Sequence, residues 1–253
     1  NLRYVKESGY KPIEKNGIVI DTYACSNEVN QNGKTAGIGT LCHEFSHCLG
    51  LPDMYDTSGN SGNTAANYGM GTWDLMNSGS YNNNGYTPAG YTSWEKMMTG
   101  WLEPRELNGD AVIKDMKPLN EGGESYIIYN PAYRNEYYMV EHRKKSGWDR
   151  HIPGEGLLIL HVDYDEEIFN YYNAPNTFKN GINDHQRLTI FHADNTEGDR
   201  NETTDPYPYD NLNVLSNYSI PAAMLHNANT DGTKMMNIRL NRIARKENGN
   251  MSF

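Results

Sequence analysis

The chain changes texture near residue 106. Before it, apolar residues recur at helical spacing in two places, set between stretches rich in Gly, Asn and Ser. The first place predicts a helix over residues 36–49. The second starts at Pro88, where a missing N–H is harmless, and carries Tyr91, Trp94, Met97, Met98 and Trp101 on one stripe until Gly100 and Pro104 stop it. Such a stripe is expected to be core. Residues 17–25 read as a strand, and 54–72 as an irregular loop. After 106, short runs rich in Ile, Tyr, Val and Leu alternate with turn residues: 126–129, 136–143, 156–163, 188–193 and 236–240. The pattern predicts an α+β chain, with a helical part at 1–106 followed by an antiparallel β-sandwich-like module at 107–253. The aromatic helix ending at Trp101 is expected to supply much of the interface between them.

Composition narrows the partners. A formal net charge of −10 argues against nucleic acid or an anionic membrane. No apolar run approaches the roughly 20 residues of a membrane span. Nineteen Tyr against five Phe suit half-wet β surfaces, where the ring packs and the hydroxyl stays solvated. Cys42 and Cys48 point to different sides of one helix and should not bridge each other; Cys25 could pair with one of them, or all three are small buried residues.

The chemistry lies at 43–53, His-Glu-Phe-Ser-His-Cys-Leu-Gly-Leu-Pro-Asp. On a helix, His43 and His47 sit one turn apart on the same face, as two ligands of one metal must. Glu44 is beside them, placed to take a proton from a metal-bound water. Gly50 can end the helix in the left-handed conformation and Pro52 prevents its resumption, so the chain turns back and offers Asp53 as an oxygen ligand. Two imidazoles, a carboxylate and an open position describe a catalytic Zn2+ site.

This HExxHxxGxxD run resembles the zinc motif of the metzincin clan, with Asp for the usual third His. The surrounding GIGTLCHEFSHCLGLPDMYD, WDLMNSGSY, TPAGYTSWEKMMTGWLEP, EYYMVEHRKKSGWD and PGEGLLILHVD are similar to the immune inhibitor A-like metallopeptidases, secreted bacterial enzymes. The resemblance implies the C-terminal part of a zincin-like catalytic domain in 1–106 and a secreted or cell-surface endopeptidase acting on protein substrates in extended conformation. It implies that Met76 forms a hydrophobic floor under the zinc. The Tyr that some metzincins carry two residues after this Met is here Ser78, with Tyr81 the nearest substitute to hold the oxyanion. It also brings Ca2+ into view, with Asp163, Asp165, Glu166 and Glu167 as the candidate cluster against a plainer solvated acidic loop. The strand at 17–25 is the candidate edge for substrate pairing. Only 42 residues precede His43, fewer than a metzincin domain needs, so the chain is expected to be a fragment. Two other classes are a catalytically silent relative used for surface binding and a zinc hydrolase of a non-peptide bond. The His and acid residues of 136–143 and 161–163 could form a second metal site, but a buried polar network fits them better.

Overall fold

A computed structural model describes residues 9, 11–20, 22–58, 68–170, 172–178, 183–196 and 201–253. Its centre is one five-stranded sheet, in the order β3 (Arg105–Glu106), β4 (Tyr126–Tyr129), β5 (Glu136–Arg143), β6 (Gly156–Asp163), β7 (Leu188–Ile190). β3 runs parallel to β4 and the other neighbours are antiparallel. Every residue of β5 and β6 is buried. Both faces are covered, so β6 reads as a near-continuous apolar run, Gly-Leu-Leu-Ile-Leu-His-Val-Asp, whereas β5 buries Glu136, Glu141, His142 and Arg143 along with its apolar centre.

The two faces carry different cores. Ile127, Tyr137, Met139, Leu158, Leu160 and Val162 pack with Leu51, Met54, Met70, Trp73, Met76 and Trp94 from the first half of the chain. The alternate residues Tyr126, Ile128, Tyr138, Val140, Leu157 and Ile159 pack with Leu215, Leu225, Met236, Leu240 and Met251. The second face is covered largely by loops and by two-residue strands, β8 (Leu215–Ser216) with β9 (Arg239–Leu240) and β10 (Ala244–Arg245) with β11 (Met251–Ser252). A sandwich of two extended sheets is not what forms among the described residues; turn-rich text builds a covering layer instead.

Three expectations need correction. The strand at 17–25 is only β2 (Ile18–Ile20), paired with β1 (Ile13–Lys15) through Asn16 and Gly17 at φ 54° and 76°. That hairpin is exposed along its length and joins no larger sheet among the described residues. The second helix, α2, does not start at Pro88. It spans Ser93–Met98, capped by Thr92, whose hydroxyl accepts from the Glu95 N–H while the Glu95 carboxylate accepts from the Thr92 N–H. The sequence Thr-Ser-Trp-Glu carried that capping box in plain view. Its stripe is also only part core: Trp94 is buried, whereas Trp101 is 58% exposed. Finally, Cys25 is exposed and Cys42 and Cys48 are half-buried, and all three are free. The loop over 54–72 falls outside the described residues at 59–67.

Candidate metal centre

Helix α1 spans Gly39–Cys48. Its start lies against the 78–85 segment so closely that a Cβ at Gly39 would sit 1.8 Å from the Ser80 carbonyl oxygen. Its end is closed by Gly50 at φ 93°, with the Leu51 N–H donating to the Ser46 carbonyl. Ser46 is the buried face, its hydroxyl within 2.5 Å of the Tyr91 hydroxyl. Leu41, Phe45 and Leu49 form an exposed apolar face.

The chain returns at Asp53 through main-chain bonds. The Met54 N–H donates to the Met76 carbonyl at 2.9 Å, and the Met54 carbonyl accepts from the side-chain amides of Asn77 and Asn176. The same turn holds the helix. His43 Nδ1 is 2.9 Å from the Leu75 carbonyl, and His47 Nδ1 is 2.8 Å from the Leu51 carbonyl. A carbonyl only accepts, so each Nδ1 carries the hydrogen and each Nε2 presents its lone pair when the ring is neutral. Both Nε2 atoms face one oxygen: Asp53 Oδ1 lies 3.1 Å from that of His43 and 3.5 Å from that of His47.

The ligand atoms of His43, His47 and Asp53 lie within 4.8 Å of one another, and among the described residues no other group of three His, Cys, Asp or Glu converges in this way. Asp53 Oδ1 is buried and makes no hydrogen bond. An acceptor so placed between two imidazole nitrogens is what a divalent cation would satisfy, and the His/His/carboxylate donor set suits zinc. The electrostatics agree. Burial alone would raise the Asp53 carboxyl, but the adjoining His43 and His47 rings hold it down to about 2. Burial opposes charge on His43, yet Asp53, the Leu75 carbonyl and Glu44 together raise its pKa.

Glu44 is half-buried on α1, next to the first imidazole. Met76 is fully buried in the shared core. Tyr81 is 69% exposed. Tyr55 was not foreseen. Burial pushes its phenol well above the usual range, and Asp53, Tyr81 and Glu44 around it raise it further. The hydroxyl therefore stands among the site's acids as a neutral donor. Its signal in the sequence was its position two residues after Asp53, which sends it back toward the helix once the chain has turned. Asp56 is buried but accepts from the Ser58 N–H, outside the convergent group.

The other acid and histidine residues do different work. Asp163, from the proposed calcium cluster, is held by His185, Arg187 and Asn227 at 2.9, 2.9 and 3.1 Å. It does not join Asp165, Glu166 and Glu167 in a cation site. His161 pairs with the buried Glu136 at 2.8 Å, and His192 with Asp205 at 2.7 Å. Both are structural contacts, and neither histidine belongs to the convergent group.

A helix-borne pair of histidines with a returning carboxylate is a donor set that could hold one divalent cation. The comparisons agree: residues 5–104 match the family described as immune inhibitor A peptidase M6, catalytic domain. The likeness covers less than half of the chain. Two curated relatives, each the pre-pro-metalloprotease PrtV of Vibrio cholerae serotype O1 (strains M66-2 and ATCC 39315 / El Tor Inaba N16961), are 38% identical over 88 residues. The match covers 34% of this chain and 9% of each relative's length. No solved structure matches the chain. No helix among the described residues is long and apolar enough to cross a membrane.

Proposed function

We propose that the chain is the zinc-binding part of a secreted or cell-surface endopeptidase that cleaves extended segments of extracellular proteins. The observation that carries this is the convergence of His43, His47 and Asp53 on one point, with Asp53 Oδ1 buried between the two rings. His43, His47 and Asp53 would hold the metal. Zinc there would supply Lewis-acid chemistry, making water acidic near neutral pH and drawing charge off a scissile carbonyl. Glu44 takes the proton of the attacking water and returns it to the leaving amine nitrogen. Tyr55, neutral and facing Asp53 and Glu44, is placed to donate a hydrogen bond toward negative charge developing on the substrate. Tyr81 serves at the rim of the same site. Met76 belongs to the packed floor, where its thioether fills space without ligating. We also propose the division into a catalytic part, 1–106, and a sheet module, 107–253. The core shared by Trp73, Trp94, Met139 and Leu160 supports their folding as one unit.

Glu44→Ala removes the base and no ligand. It should retain about one zinc per chain by elemental analysis while casein hydrolysis falls by at least about a thousandfold. A variant keeping more than a tenth of wild-type turnover would refute the assignment. A wild type that binds zinc but cleaves no protein would favour the silent relative or a non-peptide hydrolase.

A further inference from the structure

A cavity of about 1170 Å³ opens on the sheet face opposite the metal centre, and its lining does not fit an acidic protein's ordinary surface. Its floor is apolar: Ile113, Ile128, Met236, Leu240 and Phe253. Its rim carries Lys114, Arg134, Arg239, Arg242 and Lys246 against only Glu106 and Asp110. Five cations face two carboxylates here, in a chain whose net charge is −10. Glu106 is already engaged by Arg134 through two bonds of 2.9 and 3.1 Å. The remaining rim is therefore strongly positive. The volume exceeds the roughly 300–1,000 Å³ of common small-molecule pockets, which points to a larger occupant.

One wall is an incompletely paired strand. β3 pairs only with Tyr126 and Ile127 of β4. The Arg105 and Leu107 N–H groups donate to the Ser125 and Ile127 carbonyls. By the same alternation the Tyr129 N–H and C=O face the side where β3 has ended, and Tyr129 lines the cavity. No strand among the described residues continues there. We propose that this cavity is a docking groove for an extended acidic segment of another protein, which adds to β4 at Tyr129, seats its apolar side chains on the floor, and places its carboxylates against Arg239, Arg242, Lys114 and Lys246. Strand addition gives affinity through the main chain, and the rim charges give selectivity. The groove is separated from His43, His47 and Asp53 by the thickness of the sheet, so the inference is independent of the peptidase assignment.

The test is fluorescence anisotropy with a labelled octapeptide of alternating Glu and Val, against its Lys/Val counterpart, using the whole chain bearing Glu44→Gln to prevent cleavage. The acidic peptide should bind, and the basic one at least about tenfold more weakly. Affinity should fall with added salt, as rim charges dictate. The double variant Arg239→Glu/Arg242→Glu, both exposed positions, should keep the wild-type circular dichroism and lose at least about tenfold in affinity. An N-methylated acidic peptide, unable to pair with a strand edge, should also lose binding. Equal binding of both peptides, undiminished binding to the double variant or of the N-methylated peptide, or no binding at millimolar peptide would overturn the proposal. So would a sedimentation shift showing that a second copy of the chain fills the groove instead.

Discussion

Arg143 should be among the most sensitive positions in the molecule. It lies on β5 with no solvent exposure, Nη1 3.1 Å from Glu141 and Nε 3.2 Å from Asp149. It also donates to the Trp73 and Gly90 carbonyls at 3.3 Å each. Burial opposes its charge, but Asp149 and Glu141 raise its pKa, so it stays cationic. Arg143→Met would keep the length of the side chain and strand both carboxylates. Removing one partner of a buried ion pair costs about 3–5 kcal/mol. The carboxylates would not be wholly bereft, since Glu141 still accepts from the Ser93 N–H at 2.6 Å and Asp149 from the Gly90 N–H at 2.8 Å. The expected loss is therefore near the lower figure, about 3 kcal/mol, against a typical total of about 5–15 kcal/mol. Urea unfolding followed by tryptophan fluorescence measures it, because Trp73 and Trp94 are buried beside the network. Adding Glu141→Gln to Arg143→Met should recover about 1 kcal/mol by removing one stranded charge. A loss below about 1 kcal/mol for Arg143→Met, or no recovery in the double variant, would show that water reaches the cluster and that the burial argument fails.

Two further outcomes follow from the geometry around the centre. Asp53→Asn should weaken zinc binding strongly in competition with a chelating dye, and Asp56→Asn much less, because only Asp53 faces both imidazoles; equal losses would contradict this. Burial pushes Asp74 up to about 7, so the folded state holds a proton that the unfolded chain releases well below that, and this stability is lost as pH rises through about 7. Asp74→Asn should therefore raise the thermal midpoint at pH 8 and add little at pH 5; an equal change at both would refute the assignment.

What the sequence revealed was what is local in it. His43, Glu44 and His47 share one short helix, and Gly50 and Asp53 follow within one turn of chain, so spacing alone brought their side chains together. The runs at 126–129 and 156–163 were legible as nearly continuous apolar text, and 136–143 through the β-favouring Tyr-Tyr-Met-Val at its centre. The start of α2 was missed because a proline at 88 outweighed the capping box at Thr92 and Glu95. The ion network of Arg143 could be read only in part. Glu141 shares its strand face two residues away, but Trp73 and Gly90 are distant in sequence and only the fold makes them neighbours. The same holds for the cavity rim, which gathers Lys114, Arg134 and Arg239 from three distant stretches.

The anchoring of the candidate metal centre by carbonyls has a consequence for how this site can change over generations. Leu51, Met54 and Leu75 serve it through their main-chain hydrogen bonds. Any residue that fills the same space at these positions keeps His43 and His47 oriented, so drift there is silent to the chemistry. A change in backbone path is not silent: a proline at 54 deletes the bond to the Met76 carbonyl and frees the segment that delivers Asp53. The site is thus inherited as a trace of the chain more than as a list of letters, and libraries at the buried positions 51 and 75 should return active members chiefly with apolar residues of similar size, while one at 54 excludes proline.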